Sequence, residues 1–179
     1  VTEQDEHIAG YILDQFKGVV IVINKWDAVE KDAHTMTAFL EKVREKLHFI
    51  PYAPVIFISA LTGQRIHQVL DVADNVWQNR FIRVQTSDLN RVVRDAVQRH
   101  PAPMKGTRRL KIYFATQVAI APPLFLFHVN DRELVHFTYR RYLENSLRAV
   151  YPFEGTPVRF SFRESKNDPR RDKERERLS

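Results

Sequence analysis

The sequence predicts an α/β protein: a partial parallel sheet with its helices, followed by a smaller α+β module of order α-β-β-α-β. Three observations carry this expectation. Two short apolar runs, Val19–Ile23 and Val55–Ile58, are each flanked by helical patterns. The composition shifts near Arg80–Ser87, where the chain turns from slightly acidic to basic. Beyond that point come a helix pattern, two strand patterns, a second helix pattern and an alternating strand.

Thr2 is placed to cap a first helix, with Asp5 in the capping-box position. Ile8, Ile12, Leu13 and Phe16 recur at helical spacing, and Gly18 ends the pattern. Val19–Ile23 is unbroken and β-branched, which predicts a strand buried on both faces, as in a parallel sheet. Phe39, Leu40, Val43 and Leu47 mark a second helix, and Pro51 and Pro54 bracket the loop after it. Val55–Ile58 reads as a second buried strand. Ile66, Val69, Leu70, Ala73, Val76 and Trp77 mark a third helix. The order helix–strand–helix–strand–helix is half of a doubly wound sheet.

Ser87 is placed to cap the next helix, whose apolar face is Leu89, Val92, Val93, Ala96 and Val97 and which His100-Pro101-Ala102-Pro103 closes. Leu110–Val118 and Leu124–Val129 form a hairpin pattern across Ala121-Pro122-Pro123, without a two-residue turn. Tyr139, Leu143, Ser146, Leu147 and Val150 mark one face of a helix, and Val158–Phe162 alternates as a last strand. From about Glu164 the chain is charged and lacks apolar anchors, which predicts disorder. The expected boundaries are residues 1–83 for the sheet module, 84–165 for the second module and 166–179 for the tail.

The chain contains no cysteine, which excludes a disulfide framework, a thiolate metal site and a cysteine nucleophile, and fits a reducing compartment. Its longest apolar run is too short to cross a bilayer. No signal pattern is present, so a cytoplasmic location without a membrane partner is expected. Val1 is not an initiator methionine, so the chain reads as a fragment or a processed product. Residues 1–86 carry 9 Lys and Arg against 11 Asp and Glu, whereas residues 87–179 carry 19 against 11. A basic half fits a polyanionic partner, most simply nucleic acid; the alternative is a solvated basic surface.

Asn24-Lys25-Trp26-Asp27 directly follows the first apolar run and has the N-K-x-D form of GTPases. Ser59-Ala60-Leu61 directly follows the second. Both sit at the carboxyl ends of predicted strands, where open α/β sheets bind ligands. The residue types suit guanine. The carboxylate of Asp27 can accept from the base N1–H and exocyclic amine together, a pair that adenine lacks. Asn24 can bond the base edge and hold the neighbouring loops. The stem of Lys25 can cover one face of the base, and the Ala60 N–H can donate to guanine O6. The rival reading is a polar turn after a strand.

These segments make the resemblance specific. Thr2-Glu3-Gln4-Asp5, Ile8-Ala9-Gly10-Tyr11, Val19–Asp27 and Ser59-Ala60-Leu61-Thr62-Gly63 resemble the second G domain of the Der/EngA family. Arg108-Arg109-Leu110-Lys111, Ala115-Thr116-Gln117, Pro122-Pro123, Phe127-His128-Val129-Asn130 and Tyr142-Leu143-Glu144-Asn145 are similar to that family's KH-like domain. The resemblance covers about residues 1–165. It implies a partial P-loop GTPase-type parallel sheet followed by a KH-like domain, in a parent with tandem G domains. That parent would be a monomeric, GTP- and GDP-binding GTPase acting in assembly of the large ribosomal subunit, with ribosomal RNA as partner. The chain contains no G-x-x-x-x-G-K-[ST] phosphate loop and no D-x-x-G element. Catalysis and Mg²⁺ binding therefore fall to the parent, and this chain is expected to be inactive alone, with no catalytic residue of its own.

The KH-like module has no GXXG clamp, since no two glycines are so spaced. Lys105, Arg108, Arg109 and Lys111, with no interspersed acid, and Arg140 and Arg141 are the RNA-binding candidates. Arg148, Arg159 and Arg163 add to the positive charge. The second reading is a protein-interaction module that regulates the G domain without touching RNA. Tyr113, Phe114, Phe125, Phe127, Phe160 and Phe162 are expected in the core rather than on a stacking platform. The seven histidines show no metal-ligand spacing, and Ser59 has no evident His/Asp partner.

Overall fold

A computed structural model gives the structure of residues 1–30 and 34–165. The tail expected to be disordered, residues 166–179, lies outside the described residues. The chain divides into two units: Val1–Phe81 with Phe153–Pro157, and Ile82–Pro152 with the chain from Val158 onward. The five residues Phe153–Pro157 fall inside the expected 84–165 module yet belong to the first unit.

The first unit runs α1 (Glu3–Asp14), β1 (Ile21–Ile23), a 3-10 turn at Trp26–Ala28, α2 (Thr35–Lys46), β2 (Val55–Phe57) and α3 (Ile66–Asn79). Thr2 caps α1 as its residue type predicts. Its hydroxyl accepts from Asp5 N–H, and its own N–H donates to the Asp5 carboxylate at 2.8 Å. Those Thr2 contacts hold the Asp5 carboxyl below its ordinary value. β1 and β2 pair in parallel, Ile21–Ile23 opposite Val55–Phe57. Ala9 of α1 and Val43 of α2 share a core with Val19, Leu47, Ile50 and Ala53, and Ile21 and Ile23 pack against it.

The expectation of a strand buried on both faces fails at Val22, which is 39% exposed. Alternate residues of a strand point to opposite faces, so Val22 turns away from the side that Ile21 and Ile23 bury. α3 explains the shortfall. Of its six predicted apolar positions only Val76 is buried, while Leu70 and Trp77 are 75% and 60% exposed. The Phe153–Pro157 segment supplies backbone partners instead: Gly155 N–H donates to the Tyr52 carbonyl, and Val19 N–H to the Gly155 carbonyl, both at 2.8 Å.

The second unit runs α4 (Thr86–Arg99), β3 (Met104–Lys105), β4 (Arg108–Arg109), β5 (Ile112–Ala119), β6 (Leu124–Val129), a 3-10 turn at Arg132–Leu134, α5 (Phe137–Arg148) and β7 (Arg159–Glu164). β6 lies between an antiparallel β5 and a parallel β7. This is the expected α-β-β-α-β order, with the small β3–β4 ribbon added. Two residues per strand are too few for periodicity to reveal. The start of α4 also differs: it begins at Thr86, with Gln85 rather than Ser87 at the N-cap position. Leu89 and Ala96 of α4, Phe125 and Phe127 of β6, and Leu143 and Leu147 of α5 are all buried. Phe160 packs on Phe127 at 4.7 Å between ring centroids. Phe125, Phe127 and Phe160 are core residues, as expected, whereas Tyr113, Phe114 and Phe162 are only half-buried.

An edge strand exposes backbone groups, and β5 is an edge strand. One side-chain amide answers for it at Ala115, and a second, carried by β5 itself, bonds the chain before α4. Asn90 of α4 accepts from Ala115 N–H at 2.9 Å and donates to the Ala115 carbonyl at 2.7 Å. Gln117, itself buried, accepts from Val84 N–H at 2.8 Å and donates to the Ile82 carbonyl at 3.0 Å. An amide satisfies one donor and one acceptor at once, as a backbone partner would.

Two stability outcomes follow. Gly155 has φ +63°, and a Cβ there would sit 2.8 Å from the Val19 carbonyl oxygen and collide with Val76. Gly155→Ala should cost at least about 2 kcal/mol from left-handed strain plus crowding, read as a lower urea midpoint. Gln117→Leu should cost about 1–3 kcal/mol, because it leaves the buried Val84 N–H without its acceptor. An unchanged midpoint for either variant contradicts the corresponding argument.

Candidate functional site

The two motifs of the first unit are brought together by the strands that precede them. β1 ends at Ile23 and β2 at Phe57, and because they are parallel both loops leave at the same end. The pairing runs on into the motifs: Ile58 N–H donates to the Ile23 carbonyl at 2.8 Å, and Trp26 N–H to the Ile58 carbonyl at 2.9 Å. Asn24 then ties one loop to the other. Its Oδ1 accepts from Lys25 N–H at 2.7 Å and from Ala60 N–H at 3.0 Å.

That arrangement bears on the role expected of Ala60. Its N–H is engaged by Asn24, so a guanine O6 must share or displace that bond. The next backbone N–H, at Leu61, makes no hydrogen bond among the described residues. The Leu61 side chain is 87% exposed. Ser59 is fully buried: its hydroxyl accepts from Thr62 N–H at 3.1 Å, and its N–H donates to the Gln64 carbonyl at 3.1 Å. Ser59 thus shapes the loop and presents no nucleophile.

The residue that sequence reasoning passed over is Trp26. Lys25 takes a left-handed backbone, φ 60°, and the chain turns inward after it. Trp26 is 2% exposed, with its ring 4.5 Å from that of Phe57 and edge-on to Phe39 at 5.3 Å. Lys25 and Asp27 flank it and are exposed. The anchor fixes where the two charged side chains emerge, and no described residue donates to the Asp27 carboxylate. The available signal was a tryptophan set between charged residues directly after a strand, where an anchor is worth more than a polar spacer.

In the second unit Lys105, Arg108 and Arg109 lie on the β3–β4 ribbon, where Lys105 pairs across from Arg108. The turn between them needs Gly106, at φ +64°. Lys111 follows the ribbon. All four cations are exposed. Asn130 pins the ribbon's base, accepting from Lys111 N–H at 2.8 Å and donating to the Arg109 carbonyl at 3.0 Å. The cluster is not free of acid: Asp131 meets Arg108 at 2.6 Å. The acid lies 23 residues along the chain, which is why local sequence does not show it. Arg140 and Arg141 are exposed on α5, the latter with its guanidinium 5.7 Å from the Phe137 ring centroid. Arg148 is committed to the fold, bonded to Glu144 at 2.9 Å and to the Pro152 carbonyl at 3.1 Å.

Among the described residues no group of three His, Asp or Glu side chains could hold a metal ion. No helix among them is long and apolar enough to cross a membrane.

Residues 83–163 match the family model described as the KH-domain-like region of EngA bacterial GTPase enzymes, C-terminal. A GTPase Der of Alkaliphilus oremlandii (strain OhILAs) is 49% identical over 164 residues, covering 92% of this chain and 37% of the relative. A GTPase Der of Desulfitobacterium hafniense (strain DSM 10664 / DCB-2) is 51% identical over 176 residues, covering 98% of this chain and 38% of the relative. A GTPase Der of Clostridium novyi (strain NT) is 50% identical over 166 residues, covering 93% and 38%. The chain thus spans under two-fifths of the length of these relatives.

The Asn24 bridge has a direct readout. Asn24→Ala removes the acceptor shared by Lys25 and Ala60, a loss of roughly 1 kcal/mol per bond. Amide hydrogen exchange at Ala60 should accelerate by about fivefold, with the amides of α4 unaffected. Unchanged exchange at Ala60 contradicts the bridging role.

Proposed function

Since the chain belongs to the Der/EngA GTPase family and corresponds to its C-terminal part, we propose that it reads guanine in a GTP- and GDP-binding protein and contacts ribosomal RNA during assembly of the large ribosomal subunit. The observation that carries the nucleotide reading is the Asn24–Ala60 link. It holds N-K-x-D beside the Ser59–Leu61 loop and leaves the Asp27 carboxylate exposed and without a described donor. A carboxylate so placed can take the N1–H and amine of guanine, and adenine would leave it unpaired.

This chain supplies base recognition. The phosphates and the Mg²⁺ that accompanies them are held in this family's manner by a G-x-x-x-x-G-K-[ST] loop and a D-x-x-G element, neither of which this sequence contains, so no catalytic step is assigned to it. The RNA reading is supported by the exposed cations Lys105, Arg109 and Lys111 on and beside the β3–β4 ribbon. Arg108 contributes less because Asp131 neutralises it. The same ion pair favours the second reading, a KH-like module that regulates the nucleotide-reading part through protein contacts.

Three measurements bear on these proposals. The purified chain should show no single-turnover GTP hydrolysis; turnover abolished by Asp27→Ala overturns that expectation. In the full-length parent, Asp27→Asn should shift preference from GTP toward XTP, because an amide can donate to the xanthine O2. Unchanged GTP preference means that Asp27 does not read the base. For RNA, replacing Lys105, Arg108, Arg109 and Lys111 with alanine should weaken binding across all sequences. The slope of log affinity against log salt should fall by about 2, from three open cations at about 0.7 each on single strands. An unchanged slope removes the ribbon from the interface.

A further inference from the structure

The end of α4 and the start of α5 line an open cavity of about 710 Å³, within the range of small-ligand sites. Its walls include Arg99, His100, Pro101, His136, Tyr139 and Tyr142, and none of the described residues lining it is Asp or Glu. The net positive half of the chain therefore has an acid-free, aromatic concavity that is separate from its ribbon cations.

The two tyrosines are pinned. Tyr139 donates its hydroxyl to the His100 carbonyl at 3.0 Å, and Tyr142 to the Ala96 carbonyl at 2.8 Å. Tyr142 thus adds a second bond to the Ala96 carbonyl, which already accepts from His100 N–H at 3.0 Å, and Tyr139 reaches the carbonyl of His100, the C-cap just past the end of α4. Burial pushes the Tyr139 phenol up, with Tyr142 adding to the effect, so Tyr139 keeps the proton it donates. With both hydroxyls used, the buried Tyr139 and half-buried Tyr142 offer no donors and instead back the exposed ring of His100.

His100 is the outer member of this cluster. Its ring faces Tyr139 at 6.4 Å with 28° between planes and meets Tyr142 at 5.1 Å. Tyr139 is 3% exposed, whereas His100 is exposed. Arg99 stands beside it, with its Nε on the Asp95 carbonyl at 3.2 Å and its terminal N–H groups available. Phe137, next to the lining residue His136, is 67% exposed and flanked by Arg141. A supported flat ring, an adjacent guanidinium and a second open aromatic suit a flat π-system that carries negative charge.

We propose that this cavity holds one unpaired nucleotide of a single-stranded RNA, its base stacked on His100 and its phosphate on Arg99. The inference rests on the RNA reading above and adds a position for a base to the phosphate contacts of the ribbon. It also accounts for a KH-like module without a GXXG clamp: grip on the strand comes from stacking on a pinned aromatic cluster.

The test uses the whole chain and a single-stranded oligoribonucleotide carrying 2-aminopurine. Binding should quench the fluorescence of the probe base. His100→Ala should remove the quench and weaken binding by about tenfold, whereas His100→Phe, which keeps a flat ring, should retain both. Arg99→Ala should weaken binding without removing the quench. Abasic nucleotides in place of bases should weaken binding to the native chain, an arm that needs no change in the protein. If His100→Ala quenches and binds like the native chain, and abasic RNA binds equally well, the cavity is not a base site. Loss of binding on the ribbon substitutions would then leave the RNA reading standing. If the native chain binds no oligoribonucleotide at low salt, both proposals fall. Tight binding of a proline-rich peptide in competition with the RNA would assign the cavity to protein instead.

Discussion

The half of the chain that carries the N-K-x-D motif depends on the parallel pairing of β1 with β2. Three residue pairs make up the ladder, and two further backbone bonds carry it into the loops at Ile58 and Trp26. An antiparallel pair would send the two loops to opposite ends and separate Asn24 from Ala60. A parallel pair places them side by side, so one side-chain amide can span both. So short a ladder is weak alone, and Trp26, wedged between Phe39 and Phe57, adds the apolar contact that holds its end. In N-K-x-D, the unspecified position therefore carries the packing and the three named positions carry the polarity.

Amide side chains acting as backbone recur through both units. Asn24 accepts from two loop N–H groups, Asn79 accepts from Glu154 N–H at 3.1 Å, and Asn130 bonds the chain where it leaves the ribbon, at Arg109 and Lys111. Asn90 serves the β5 backbone at Ala115, and Gln117 of β5 serves the backbone at Val84 and Ile82. The physical reason is shared. Short strands and irregular connections leave backbone donors and acceptors without ladder partners, and an unmade bond costs more than a made one gains. An Asn or Gln can satisfy a donor and an acceptor without lengthening a strand.

Element type was legible in the sequence wherever a pattern ran long enough to repeat. The face of α4 reads directly as Leu89, Val92, Val93 and Ala96, all buried, and the alternation at Phe125, Phe127 and Phe160 gives the core of the three-stranded sheet. The boundary at Phe153–Pro157 was not legible. Its place in the first unit is fixed by two backbone bonds and a glycine with positive φ, none of which leaves a hydrophobic period. The exposure of Val22 was hidden for a different reason: an apolar run specifies residues able to be buried, and the partner surface decides whether they are. The N-K-x-D and Ser59–Leu61 motifs were legible because their chemistry is local. Trp26 as anchor and Asp131 as the partner of Arg108 were not, because each depends on contacts made across the fold.

The same distinction sorts the cations. Counted along the chain, the second half is rich in Arg and Lys, with none over residues 112–131. In space they divide by what each already touches. Arg148 has only 12% of its side chain exposed and spends its bonds on Glu144 and the Pro152 carbonyl, so losing it would damage α5 before it altered any surface. Arg108 lies 60% exposed but carries a carboxylate with it, and an incoming phosphate must compete with Asp131. Lys105, Arg109 and Lys111 project from the ribbon and the residue after it, held by Asn130 and paired across a two-residue ladder, and none of the three meets an acid in an ion pair among the described residues. A polyanion gains most where counterions are released and least where an internal pair must first be broken. Net charge points to the right half of the chain, and the ion pairs decide which few side chains in it can act on a partner.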